Sequence, residues 1–238
     1  MSAAVLLSAI LVFLPVGHTA ESEIDHLAQI LELKRGSSVA DVGAGSGELS
    51  IVMAQRVGPE GIVYSSEINP KLLDKIRAIA RKAAARNLIP IAGSEHDTEL
   101  PSNCCDAIFL REVYHHLTDP LGMDRSLYRA MRPGGRLAII DFEPIPGQPA
   151  PPGVPANRGG HGVPKRVVVE ELTRAGFKLA QTVDWPISAV IEHYCMLFRK
   201  PPLYKTRTER TFVSKPSNAS YDGFHSKSIS THIRSQTS

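Results

Sequence analysis

Ser38-Val39-Ala40-Asp41-Val42-Gly43-Ala44-Gly45-Ser46-Gly47 is the stretch on which the fold turns: an apolar run ends in an acidic residue, and three glycines follow at alternate positions. Val39, Ala40 and Val42 read as a buried strand. Behind the glycines, Leu49, Val52, Met53 and Val57 recur at helical spacing, which predicts a helix over residues 48–57. A strand, a tight glycine turn and a helix together form a cradle in which a ligand can approach the main chain.

Spacing separates the two cofactor classes that use such a cradle. Dinucleotide folds favour G-x-G-x-x-G, with the helix N-terminus aimed at a pyrophosphate. Here the spacing is G-x-G-x-G, and Asp41 stands two residues before the first glycine. A carboxylate there repels a pyrophosphate and suits a cationic centre or an amino donor. The pattern resembles the Asp-x-Gly-x-Gly-x-Gly motif of class I methyltransferases that use S-adenosyl-L-methionine. That resemblance implies that Asp41, Gly43, Ala44, Gly45 and Gly47 hold the methionine end of the cofactor.

Glu67 closes a second apolar run, Ile62-Val63-Tyr64, and is followed by Ile68, Asn69 and Pro70. Its offset from the glycine loop is about the 20 residues at which an acidic side chain accepts from ribose hydroxyls, which makes Glu67, with its neighbour Ile68, a candidate cofactor contact. It also reads as a solvated carboxylate near the start of a helix at Pro70. After a third short strand comes Ala92-Gly93-Ser94-Glu95-His96-Asp97, where the resembled family places a side chain against the adenine amino group. Ser94, Glu95 and Asp97 match that place, although many relatives carry Asp just after the glycine. Alternatively, Glu95, Asp97 and Glu99 serve only to solvate a surface loop.

The run from Asp106 to Leu117 again takes an apolar strand into polar residues at its carboxyl end, the end that faces the ligand crevice in open α/β sheets. It is similar to the fourth motif of small-molecule methyltransferases. By that resemblance Arg111 neighbours the cofactor, and Tyr114, His115 and His116 form the substrate-facing wall. Adjacent histidines seldom turn both rings to one ion, and no Cys or acidic set has zinc spacing, so no metal is expected. Arg132-Pro133-Gly134-Gly135-Arg136-Leu137 then resembles the family's stop before a fifth strand, with a structural role.

The expected fold is α/β: a doubly wound, mostly parallel seven-stranded sheet with helices on both faces and a C-terminal antiparallel hairpin. The chain is identified as a member of the small-molecule group of class I methyltransferases, similar to those of ubiquinone and menaquinone synthesis. Residues 21–200 are the expected domain. A leading helix is predicted over residues 21–33 and another over residues 167–175, followed by strands at residues 177–183 and 194–198. Residues 143–164 carry seven of the chain's eighteen prolines and five glycines. They read as a lid presenting Arg158 and His161 to the acceptor, or as an unstructured insertion.

Residues 201–238 hold six Lys or Arg and two Asp or Glu, a surplus of +4 that leaves residues 1–200 at −1 of the chain's net +3. The domain is therefore close to neutral, and a nucleic-acid partner lacks its usual electrostatic support. The tail, rich in Ser, Thr and basic residues, is expected to be disordered. Residues 2–16 are almost wholly apolar and read as an anchor that would give membrane association, as a signal that would give export, or as neither, in a cytoplasmic enzyme. Three cysteines, two of them adjacent, do not suggest a disulfide framework.

These readings lead to a methyl transfer onto a small-molecule acceptor, with His115, His116 or His161 as a base where the acceptor must lose a proton. Three alternatives stand beside it: a protein that binds the cofactor without turnover, a protein carboxyl methyltransferase, and a nicotinamide oxidoreductase. Val57-Gly58-Pro59-Glu60-Gly61 resembles a run in the carboxyl methyltransferases.

Overall fold

The computed structural model describes residues 20–185 and 191–203. The expectations for residues 2–16 and for the tail beyond residue 203 lie outside those residues. Among the described residues no helix is long and apolar enough to cross a membrane.

Five parallel strands and an antiparallel pair form one seven-stranded sheet in the order β3-β2-β1-β4-β5-β7-β6. The strands are β1 (Ser38–Val42), β2 (Ile62–Glu67), β3 (Leu88–Ala92), β4 (Cys105–Arg111), β5 (Met131–Phe142), β6 (Lys178–Trp185) and β7 (His193–Arg199). The helices are α1 (Ala20–Ile30), α2 (Glu48–Val57), α3 (Pro70–Lys82), α4 (Pro120–Ala130) and α5 (Lys165–Ala175). The expected doubly wound sheet and terminal hairpin are both present.

Strand side chains point alternately to the two faces, and each face has its own core. Ala40, Ile108, Leu110, Leu137 and Ile139 pack with residues of α4 and α5, such as Leu127 and Leu172. Val39, Ala107, Phe109, Ala138 and Ile140 pack on the other face with Leu27, Met53 and Ile76 of α1, α2 and α3. Both faces being covered explains why the central strands read as continuous apolar runs and not as alternation.

Helix ends follow local chemistry. Asn69 caps α3 by accepting from the N–H groups of Lys71 and Leu72, with Pro70 in the first turn. Gly176 ends α5 in the left-handed region at φ 108°. One detail departs from the sequence reading. The helix before the Pro-Gly-Gly run ends at Ala130, and β5 already begins at Met131. The residues between Met131, which pairs with Cys105, and Arg136, which pairs with Ala107, form an irregularity within the strand.

Strand order reverses between β1 and β4, each followed by a connection to a different side of the sheet. The crevice outside the carboxyl ends at such a switch point is where open α/β sheets bind ligands.

Candidate functional site

Val42 of β1 lies opposite Ser66 of β2, so the glycine loop and the end of β2 emerge side by side. The Ser66 carbonyl accepts from the N–H groups of Gly43 at 2.8 Å and Ala44 at 3.1 Å. One Glu67 carboxylate oxygen accepts from the Gly45 N–H and the other from the Asn69 N–H, both at 2.8 Å. The second expected acidic residue is thereby fixed against the loop, and Glu67 as a whole is 7% exposed.

Gly43 has φ 75°, and a Cβ there would stand 2.5 Å from a Val113 methyl. We expect Gly43→Ala to lower the unfolding free energy by roughly 2 kcal/mol, from left-handed strain plus overpacking, as read by urea denaturation. Wild-type stability in that variant would contradict the described loop.

Asp41 is 3% exposed. The Ser50 hydroxyl donates to it at 2.5 Å, and the Ser50 and Ser65 hydroxyls lie 2.8 Å apart. Burial pushes the Asp41 carboxyl up to about 7; the Ser50 hydrogen bond pulls it down, and the nearby Glu67 adds to the rise. A buried carboxyl beside a second one is a place where positive charge gains most.

Between the loop and the following strand ends is a cavity of about 150 Å³, lined by Gly43, Ile68, Ser94, Glu95, Val113 and His116 among others. Ile68 at its rim is 60% exposed. Larger depressions open near the amino ends of β2 and β3, among residues such as Gly58, Gly61 and Asn87, away from the glycine loop.

The sequence candidates divide in the structure. Ser94 and Glu95 line the cavity, with the Thr118 hydroxyl donating to Glu95 at 3.0 Å. Asp97 instead accepts from Arg129 at 2.7 and 3.0 Å and from the Ser126 hydroxyl at 2.9 Å. Those bonds, led by Arg129, hold its carboxyl down at about 2. Its contacts tie the loop to α4. Arg111 donates to Glu23 of α1 at 2.6 Å, and the Trp185 indole N–H donates to the same oxygen at 3.2 Å.

Two expectations need correction. Tyr114 is fully buried, its hydroxyl 3.0 Å from both Asp124 carboxylate oxygens and 3.1 Å from Glu171, so it belongs to the core and not to a substrate wall. Arg158 is also fully buried, 3.0 Å from Glu171 and 5.2 Å over the Tyr114 ring. It therefore anchors the Pro/Gly-rich segment and offers nothing to an acceptor. That segment is folded, with a bridge between Ile145 and His161 and a short helical turn at Ala156–Arg158.

The three histidines come together. Ring centroids of His115 and His116 are 4.0 Å apart, and His161 lies 5.0 and 5.9 Å from them. His115 is buried, its Nδ1 2.8 Å from Asp141 and its backbone N–H donating to the same carboxylate at 3.1 Å. His161 Nδ1 lies 3.0 Å from the Gln148 side-chain oxygen. Partial burial, then the proximity of His115 and His161, lowers the His116 pKa and favours the neutral ring.

Sequence reading missed Ser50, Ser65, Glu23, Gln148 and Asp141. Asp141 alone carried a signal, since it ends the apolar run Leu137 to Ile140 as Asp41 ends its own. Glu112 was missed as well. It takes φ 55° just past β4 and reaches His193 at 3.0 Å, a strained position of the kind that collects at ligand clefts.

This sheet order with its switch-point cleft is the architecture of the class I methyltransferases. Residues 33–173 match the family described as a methyltransferase domain, and the chain belongs to that family. Among curated relatives it is 30% identical over 113 residues to demethylmenaquinone methyltransferase of Listeria welshimeri, covering 48% of each chain. It is 32% identical over 130 residues to protein-L-isoaspartate O-methyltransferase of Methanothrix thermoacetophila, covering 53% of this chain and 59% of that one. The chain thus spans about half the length of the curated relatives it matches. A SAM-dependent methyltransferase from Aquifex aeolicus has the same fold, with a TM-score of 0.63 and 24% identity over 75% of this chain and 89% of that one.

Proposed function

We propose that the protein transfers the sulfonium methyl of S-adenosyl-L-methionine to a small-molecule acceptor, in the cytoplasm where that cofactor is made. The observation that carries this reading is the Glu67 carboxylate bonded to the Gly45 N–H beside the buried Asp41. In this reading Asp41 and the loop of Gly43, Ala44, Gly45 and Gly47 take the cationic methionine end, and Glu67 takes the ribose hydroxyls. Ser94 and Glu95, with Ile68 at the rim, receive the adenine.

The donor arrives already activated, because the sulfonium is a good leaving group. The protein's task is to hold an acceptor atom about 3 to 3.5 Å from the methyl, in line with the departing sulfur. Where the acceptor must lose a proton, this reading gives that task to the histidine cluster that reaches the cavity wall through His116.

Purified chain, methyl-labelled cofactor and a fractionated metabolite extract test this directly. Label is expected in a small-molecule fraction, with S-adenosylhomocysteine formed in equal amount. Cofactor uptake with no labelled product in any fraction would leave a binding protein instead. A second reading, methylation of a protein carboxyl, gains from the similarity to the isoaspartate enzyme. An isoaspartyl peptide in the same assay separates the two.

A further inference from the structure

His115, His116 and His161 offer more than a polar wall. One ring nitrogen of each lies within 4.8 Å of those of the other two. A tetrahedral ion with bonds of about 2.0–2.1 Å to imidazole sets its ligand nitrogens about 3.3 Å apart, so binding draws the three rings together by up to about 1.5 Å. We propose that these three histidines bind one zinc-like divalent cation, with its open position facing the cofactor cleft.

The surroundings have what such a site needs. His115 Nδ1–H donates to Asp141, which leaves its Nε2 lone pair available. His161 Nδ1 meets Gln148 in the same way. Metal-bound imidazoles ordinarily give their other ring nitrogen to a carboxylate or carbonyl, which fixes the tautomer and the ring plane. Asp141 is itself held, accepting from the backbone N–H groups of His115 and Phe142. The Pro/Gly-rich segment brings His161 into place. A Cβ at the next residue, Gly162, would stand 2.7 Å from the Glu143 carbonyl, so only glycine allows this approach. His116 is exposed and also lines the cavity beside Gly43, giving the ion an entry path and a side open to the cleft.

Three neutral nitrogen ligands with an open position bind an oxygen or sulfur donor and lower its pKa. The acceptor class is therefore a hydroxyl or thiol compound, bound as its anion with the proton released to solvent. Its lone pair forms the bond to the methyl carbon while the carbon–sulfonium bond breaks and its electron pair stays on sulfur. This acceptor assignment rests on the methyltransferase reading; the cation site does not.

Tag-free full chain, dialysed against chelator, is titrated with Zn²⁺ by calorimetry and with Co²⁺ by visible absorption, and S-adenosylhomocysteine is titrated into the same metal-free sample. One ion per chain is expected, with the intense cobalt bands of a four-coordinate site. His161→Ala should weaken Zn²⁺ binding at least ~100-fold and Gln148→Ala about tenfold, the latter typical of an orienting partner. His96→Ala, outside the cluster, should leave it unchanged. Metal-free melting curves check that the loop variants fold. Absence of saturable cobalt bands, or full binding by His161→Ala, would overturn the site. S-Adenosylhomocysteine uptake without ion uptake removes the metal site alone; ion uptake without S-adenosylhomocysteine uptake keeps the site and removes the acceptor assignment.

Discussion

Asp41→Asn is expected to make the protein more stable at pH 8 while weakening its hold on S-adenosylmethionine. Burial raises the folded carboxyl to about 7 from an ordinary value of 3.8. Below pH 3.8 both folded and unfolded chains carry the proton, and burial costs nothing. Between 3.8 and 7 the unfolded chain ionises while the folded one retains its proton, so stability falls as pH rises. Above 7 the loss is constant at roughly 4 kcal/mol, from 1.36 kcal/mol per unit. Asparagine removes the ionisation, and part of the gain is lost with the strong Ser50 hydrogen bond. Urea denaturation should show a gain of roughly 2–4 kcal/mol at pH 8 and almost none at pH 4.

Cofactor affinity should run the opposite way. A sulfonium and an ammonium favour the ionised carboxylate, so binding releases its proton and strengthens with pH. Wild-type affinity at pH 6 should be about tenfold below that at pH 8, since a group titrating near 7 is mostly protonated there. Asp41→Asn should bind weakly at both values and lose the dependence. A variant equally stable at pH 4 and pH 8 relative to wild type would show that Asp41 is not the buried acid described.

Glu67→Gln should lower S-adenosylhomocysteine affinity roughly 10- to 100-fold, the range for losing charge-assisted hydrogen bonds. The amide keeps one oxygen acceptor for Gly45 or Asn69 and turns its NH2 toward the other N–H, so the variant should fold with a melting temperature lowered by several degrees. Calorimetry of variant and wild type checks this. Unchanged affinity would mean that the carboxylate only pins the loop.

The fold was legible because its signals are local. Apolar runs, glycine turns and helical spacing each lie within a few residues, and parallel strands buried on both faces leave long unbroken apolar stretches. The carboxylates Asp41 and Glu67 were found for the same reason, since each ends a strand. Other parts of the site depend on distance in sequence. Tyr114 and His115 are neighbours, yet a short helical turn sends the first into the core against Asp124 and the second toward Asp141. Arg158 lies in a segment whose composition suggests a solvated loop, while Glu171 of α5 draws it inside. The joining of His161 to His115 and His116 is set by the path of residues 143–164, which no spacing rule encodes.

The central claim is that the glycine loop, Asp41 and Glu67 form a pocket for an adenosyl sulfonium. Calorimetric titration of the full chain with S-adenosylhomocysteine, and separately with NADH, tests it most directly. The expected result is saturation by S-adenosylhomocysteine at one molecule per chain, with no saturable heat from NADH. Saturation by NADH instead, or by neither compound, would contradict it.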